Sequence, residues 1–526
     1  MMEAIAAQIN YPEWTEYREK NGLDPLGMQN TSVNLYQTFL PGISNVTLRM
    51  RYYGLYAWLC RTYARKVGDT NPETWKRYIR RTEALYALIA CRRGGESGVA
   101  GIDWATRTLA NAPDGAIDFA QAAEAGSETH YLQQAWGAYG AAYGSQLFEI
   151  GILTRSDEHE IPLLSADSGE PLASAFQESI GPLADEFFAV IQRGRVTSGE
   201  LDRFKPLSPS EIAITSDERA LYENLLVRDE PGDAAARSRR LTIRLLLNIT
   251  ALLGRDPRPD QMRWVLYAGF GEDGHPLTLI DPALVAQQRR WWVYHANDLC
   301  HVALETLLKF TLDMIGAHPA GIALERLLPL CAAQILEAAG NRPASWSAFL
   351  SSTTPAQNAY GDDAGSDWSL SQGLLRGAGR NDDRVCSPET AWNAVRLLAI
   401  LHKRVETESH DIAAELGAFN PDAFHSLLTE TRFLNRHADE DFASLLERLI
   451  EERVVRRHLW VAFRKFRYQR DYTFLIEMDD GRLRLRDIDG PVFTNPRLGP
   501  ALTFLRDIHL IGDQGLTNRG ARAAGS

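Results

Sequence analysis

Apolar residues recur at three- and four-residue intervals through most of this chain, and that spacing constrains its fold more than any other feature. In the run NVTLRMRYYGLYAWLCRTYARK the apolar or aromatic positions Leu48, Tyr52, Leu55, Leu59 and Tyr63 fall on one face of a helix. The next helix is predicted to open at Asn71-Pro72-Glu73, because proline fits the first turn and an acid suits the positive end of the helix dipole. It continues through Trp75, Ile79, Leu85 and Ile89 to Gly94-Gly95. Segments 235–253, 284–316, 320–340 and 389–407 repeat the periodicity, and Ser208-Pro209-Ser210-Glu211 and Ser387-Pro388-Glu389 resemble capped helix starts. The opening residues, 1–30, are short of periodicity and rich in turn formers. Residues 351–383, rich in Ser, Thr, Gly, Asp and Asn, are expected to form a mobile loop.

Strand signals are confined to two regions. From Tyr131 a helix is predicted to run to Leu147-Phe148-Glu149-Ile150-Gly151-Ile152-Leu153. A charged turn (TRSDEHE), the apolar run Ile161-Pro162-Leu163-Leu164, a glycine and another helix follow. Near the C-terminus, Tyr472–Glu477 and Arg482–Arg486 alternate around Asp479-Asp480-Gly481, a hairpin signal. Beyond it come a helix over Pro496–Asp507, a short turn at Gly512–Gly515 and Leu516–Gly520. Helix, short hairpin, glycine, helix is how the end of a winged-helix module is written, and such modules serve protein contacts as often as DNA. The expected fold is therefore mainly α: a multi-domain helical protein with winged-helix-like elements. Its expected divisions are an N-terminal helical domain (1–130), a winged-helix-like element (131–176), a helical domain (177–440), and a basic helix with a second winged-helix-like domain (441–526).

A chain of 526 residues has room for about three domains and buries ample core without staples. Its five cysteines, Cys60, Cys91, Cys300, Cys331 and Cys386, are odd in number and widely spaced, with no CxxC pair. Neither a disulfide framework nor a cysteine zinc site is indicated. The first basic residue, Arg18, follows an acid, with no long apolar core or cleavage-like site, so no signal peptide is expected. The most apolar helix, from Leu324, still contains Glu325, Arg326 and Glu337, so no membrane span is expected and the location is taken as cytoplasmic. A net charge of −12 excludes indiscriminate coating of nucleic acid, since each phosphate contact needs a local cation. Any such surface must be a patch. The cations are lopsided, 49 arginines against seven lysines, and arginine suits forked contacts to phosphates and carboxylates.

Several chemistries lack their signatures. No lysine follows a glycine, so there is no Walker A loop; Glu-x-Lys, HExxH, GxSxG and His-x-Lys are also missing. Glu158, His159 and Glu160 lie in the charged turn, and Asp362, Asp363 and Asp367 lack calcium-loop spacing. No cofactor is expected.

Three constellations remain. His295, Asp298, His301 and Glu305 lie along one stripe of the helix QQRRWWVYHANDLCHVALETLLKF. Imidazoles beside carboxylates could hold a metal or exchange protons, or simply bond a neighbouring helix. No metal is assigned to them. Arg290 to His295 also matches Arg-x4-His, the loose signature of HEPN ribonucleases, as do Arg432 to His437 and Arg453 to His458. The second constellation is the segment with Arg453, Arg456, Arg457, Arg464, Lys465, Arg467 and Arg470 among Trp460, Phe463, Phe466 and Tyr468. Cations neutralise phosphates while aromatic planes stack on bases, so these seven are the candidate nucleic-acid contacts. The competing reading pairs them with Asp439, Glu440, Asp441, Glu447, Glu451 and Glu452 within two or three turns. The third sets Arg49, Arg51, Arg61 and Arg65 on one helix and Lys76, Arg77, Arg80 and Arg81 on the next, amid Tyr52, Tyr53, Tyr56 and Trp58. That block makes either a cationic groove or arginines extending from an aromatic core.

The run LYQTFLPGISNVTLRMRYYGLYAWLCRTYA, through Leu40, Pro41, Gly42, Ser44, Asn45, Thr47, Arg49, Arg51, Tyr52 and Trp58, resembles an uncharacterised bacterial defence-island-associated family. The resemblance implies an accessory component encoded beside helicases, nucleases or ATPases, and it carries no catalytic residues. The expected function is a non-enzymatic scaffold or recognition subunit of a prokaryotic anti-phage complex, contacting DNA and operon-encoded partners. The alternatives are a divergent HEPN-like ribonuclease using Arg290 and His295, and a winged-helix transcriptional regulator.

Overall fold

The computed structural model describes residues 24–111, 115–124, 126–228, 232–379, 384–419 and 424–525, so the turn-rich opening up to residue 23 lies outside it. The fold is mainly helical, and one helix organises it: Pro282–Gly316, 35 residues and about 52 Å long. Asp281 caps it by accepting the Ala283 N–H, and Pro282 occupies its first turn. Every residue from Trp291 to Leu312 is buried, as a helix apolar around most of its circumference requires. Helices Gln29–Phe39, Ala234–Leu253, Pro259–Ala268, Asp367–Ala378 and Pro388–Thr407 pack around it, and strand Arg482–Leu485 crosses it. The helices predicted over 235–253, 284–316, 320–340 and 389–407 are found at Ala234–Leu253, Pro282–Gly316, Leu324–Ala338 and Pro388–Thr407.

Helix Arg51–Lys66 lies against Gly169–Ile180. The approach is closest at Gly54, where an added Cβ would meet Tyr222 Oη at 2.1 Å and Phe176 Cδ2 at 2.9 Å. Tyr52, Tyr53, Tyr56, Tyr86 and Tyr143 form a buried aromatic cluster, Tyr52 and Tyr143 stacking at 4.7 Å. Buried Glu83 accepts hydrogen bonds from Tyr56 Oη, Tyr131 Oη and the backbone N–H groups of Ala138 and Tyr139.

The strands form small antiparallel pairs. Ala116–Asp118 pairs with Arg195–Thr197, which the periodicity did not reveal. The three expected hairpins are present: Leu153–Thr154 with Leu163–Leu164, Ile476–Asp479 with Arg482–Leu485, and Ile511–Gly512 with Gly515–Leu516. Asp480 and Gly481 both adopt positive φ, 47° and 70°, as a two-residue hairpin turn of the right twist demands. The first and third hairpins lie between helices as expected, but each is a ladder of only two residue pairs.

Three expectations need correction. The helix from Tyr131 begins only at Gly137, with a π-helical turn over Tyr139–Tyr143. Arg80 holds the preceding stretch in turns by donating to the carbonyl oxygens of Ala123, Leu132 and Gln134. No helix starts at Ser208. Its carbonyl oxygen accepts from Arg51, Ser210 donates to Glu96, and the helix starts at Asp217 behind the Ser216 cap. Segment 351–383, outside residues 380–383, carries helix Asp367–Ala378, capped by Ser366 and fixed by the buried Asp367 carboxylate on Arg404 and Tyr267.

Contacts cross each expected domain boundary. The 176/177 division falls inside helix Gly169–Ile180. Arg49 pairs with Asp507 at 3.0 Å, and Arg51 with Glu218 at 2.9 Å. Thr494 donates its N–H and hydroxyl to Asp298. Among the described residues no helix is long and apolar enough to cross a membrane.

Candidate nucleic-acid interface

The basic segment forms one continuous helical stretch, a π-helical turn over Leu449–Val455 running into α-helix Arg456–Gln469. Arg470 closes it with a left-handed backbone, φ 56°. Val454, Val455, Arg457, His458, Val461 and Ala462 face inward. The outer face is aromatic and cationic. Trp460 is 41% exposed, Phe463 53%, Phe466 50% and Tyr468 71%. Four large aromatic groups are thus left in water between cations.

Between this helix and Leu427–Arg436 lies a cavity of about 580 Å³. Arg432, Arg436, Arg453, Arg456 and Arg457 line it, facing Glu452, with Thr429, Phe433, His425 and Trp460 completing the wall. His425 and Trp460 also wall a second cavity of about 110 Å³ beside Arg464, Lys465 and Tyr468. Trp460 carries the Arg464 guanidinium over its ring at 4.6 Å and meets the edge of His425 at 5.8 Å.

Buried Glu430 organises the cationic floor. Arg457 Nη2 donates to Glu430 Oε1 at 2.8 Å, and Arg453 Nε lies 3.8 Å from Oε2. Burial pushes the Glu430 carboxyl up, but the charges of Arg457 and Arg453, with hydrogen bonds from Arg457 and Thr429, outweigh it and hold it below the usual carboxylate range. Arg453 also stacks on Phe433 at 4.2 Å, while its Nε makes no hydrogen bond among the described residues. Burial, reinforced by the nearby arginines, pushes the His425 imidazole down to about 4, so it is neutral at physiological pH.

The seven predicted contacts thus divide. Arg453 and Arg457 are tied to Glu430, and Arg456 pairs with Glu451 at 2.5 Å. Lys465 Nζ donates to the Asp24 carbonyl oxygen. Arg464 and Arg467 rest on Trp460 and Tyr468, and neither they nor Arg470 pair with a carboxylate among the described residues. Of the acid run, Glu451 takes Arg456 as the competing reading expects, while Glu440 and Glu452 are bridged by Arg448. The sequence pattern did not reveal the facing wall, Thr429, Arg432, Phe433 and Arg436. Its signal was present in LLTETRFLNR, where two arginines lie four residues apart on one helix face.

The central-helix stripe splits. His301 bridges Asp298 (3.4 Å) and Glu305 (2.8 Å), and Arg263 and Thr494 complete Asp298. This network fastens the C-terminal segment to the core. His295 is not part of it. It stacks on Trp291 and packs at a tilt against Tyr294, burial pushes its pKa well down, and it borders a gap too small for water. Arg290 faces elsewhere, bonding Glu415, Gln287, Ser238 and Thr38 and covering Phe39. The two side chains thus meet different neighbours. Among the described residues no three His, Cys, Asp or Glu side chains are grouped to hold a metal.

Half of the N-terminal constellation is packing: Arg49, Arg51, Arg61 and Arg80 are buried, whereas Arg65 and Arg77 are exposed. Arg49 joins Glu96 and Asp507, Arg51 joins Glu218, and Arg61 donates to Ser174, Ala173 and Gln177. Its LPGISN turn joins distant segments: Arg497 donates to the Leu40 carbonyl oxygen, Arg239 to that of Pro41, and Asn45 to that of Asn495. Compared with known proteins, the chain matches no family model, no curated protein and no solved structure.

Proposed function

We propose that this chain is a non-enzymatic recognition subunit that holds single-stranded nucleic acid along helix Arg456–Gln469, within a cytoplasmic prokaryotic defence complex. Its operon-encoded partners, an ATPase, helicase or nuclease, supply the chemistry. The observation that carries the reading is the outer face of that helix. Arg464, Arg467 and Arg470 make no ion pair among the described residues, and Trp460, Phe463, Phe466 and Tyr468 stand in water beside them. Cations follow a phosphate backbone, and exposed aromatic planes stack on unpaired bases at about 1–3 kcal/mol each. Bases inside a duplex cannot offer those faces, which favours a single strand. Membership of a defence complex rests on the resemblance of the N-terminal LPGISNVTLRMRYY run.

Ultraviolet cross-linking of the full chain to an oligothymidylate, followed by peptide mapping, tests the surface. Adducts should fall within residues 453–472. Adducts confined to other parts of the chain overturn the proposal.

A further inference from the structure

The cavity beside this helix differs chemically from the helix's outer face. On the outer face single cations alternate with aromatics. In the cavity five guanidinium groups converge on about 580 Å³, within the range that encloses a small ligand. Three carboxylates answer them, Glu451 being paired with Arg456. Glu430 lies beneath, engaged with Arg457 and Arg453, and Glu452 is shared with Arg448. Arg432 and Arg436 project from the facing helix, exposed and without a carboxylate partner among the described residues. Arg453 Nε is buried without a hydrogen bond.

An anion filling this space must satisfy several forked donors at once. A phosphodiester offers two non-bridging oxygens and one negative charge. A phosphomonoester offers three terminal oxygens and a charge near −2 at neutral pH, matching converging guanidiniums better. Inorganic phosphate would use the arginines but leave the aromatic end of the cavity, beside Trp460 and His425, unfilled. A nucleobase attached to the phosphate fills that end and stacks there.

We propose that this cavity binds the phosphomonoester of a nucleotide, with Arg432, Arg436 and Arg453 on the phosphate and Trp460 against the base. The inference builds on the nucleic-acid reading of the surface and adds a distinct pocket to it. The nucleotide is either free or the phosphorylated end of a strand.

Binding of adenosine 5′-monophosphate and adenosine to the full chain is measured by calorimetry, with an Arg432→Gln/Arg436→Gln variant alongside. These two arginines are exposed, so the variant's thermal midpoint should match the parent's. The nucleotide should bind at least about tenfold more tightly than the nucleoside, and the variant should lose about tenfold or more, consistent with charge-assisted bonds. Trp460→Ala should weaken binding and Trp460→Phe should restore most of it. Equal binding of nucleotide and nucleoside, no binding of the nucleotide, or a variant that binds like the parent overturns the proposal.

Competition separates the sources. Displacement of the nucleotide by a 5′-phosphorylated oligothymidylate, but not by its 5′-hydroxyl form, assigns the pocket to strand ends. Displacement by neither assigns it to a free nucleotide. Displacement by both equally shows that internal diesters suffice and overturns the monoester inference. Binding of the 5′-hydroxyl strand that depends on Arg464 and Arg467 tests the broader reading separately, and it can persist when the pocket proposal fails.

Discussion

Replacing Glu430 by Gln tests whether one buried carboxylate sets the cationic groove. Glu430 is 2% exposed and Arg457 4%, and they are joined at 2.8 Å with Arg453 at 3.8 Å from the other oxygen. Glutamine keeps the shape and removes the charge, leaving two guanidiniums without a counter-ion. Breaking one partner of a buried pair costs about 3–5 kcal/mol, whereas removing both partners with good packing is close to neutral. Glu430→Gln should therefore lose about 3–5 kcal/mol, and adding Arg457→Met should recover most of it. Because the folded carboxyl is held below its unfolded value of about 4.3, its contribution is fully present above that pH and fades as pH falls through the folded pKa. The gap between parent and variant should accordingly be widest near neutrality and narrow below about pH 4. Urea unfolding followed by tryptophan fluorescence across that range measures it. A variant within about 1 kcal/mol of the parent at neutral pH, or a gap independent of pH, would refute the reasoning.

Three further outcomes follow from the packing. Gly54→Ala drives a methyl into Tyr222 and Phe176, and should lower stability by about 1–3 kcal/mol in the same assay. Buried His458 accepts the Leu475 N–H at 2.9 Å, and burial lowers its pKa to about 4. The unfolded chain, with its imidazole near 6.5, binds that proton first, so stability should fall by up to about 3 kcal/mol as pH drops from about 6.5 to 4. His458→Phe should flatten that fall while costing about 1–3 kcal/mol at neutral pH, because the Leu475 N–H is left without its acceptor. Phe463→Ser with Phe466→Ser should change stability by about 0.5 kcal/mol or less for each exposed site, yet weaken oligonucleotide binding measured by fluorescence anisotropy.

The helical frame was legible because local signals suffice for it. Pro72 and Pro388 open helices where sequence places them, and Asp480-Gly481 turns the hairpin its residues demand. Failures came where a distant side chain overrules local preference. Tyr131–Trp136 stays out of a helix because Arg80, more than fifty residues away, takes up its carbonyl oxygens at Leu132 and Gln134. Ser208 fails as a cap because Arg51 claims its backbone oxygen. Segment 351–383 has the composition of a loop, but Arg404 and Tyr267 fix Asp367 and let a helix form behind it. The candidate site was half legible. The basic run declares itself in sequence, whereas the opposing wall needs the tertiary placement of Leu427–Arg436, and nothing local distinguishes the Glu430-bound arginines from Arg464 and Arg467. The aligned stripe from His295 to Glu305 shows the reverse error, since sharing a helix face did not bring His295 to the same neighbours as His301.

The salt dependence of single-strand binding tests the central claim most directly. Oligothymidylate affinity is measured at two salt concentrations for the parent and for a variant with Arg464 and Arg467 both replaced by Gln, beside a thermal melt. Each phosphate that is no longer neutralised should reduce the steepness of the log–log salt dependence by about 0.7 on a single strand. The account predicts weaker binding, a slope shallower by about 1–1.5, and an unchanged melting midpoint. Unchanged affinity and slope in a folded variant would contradict it.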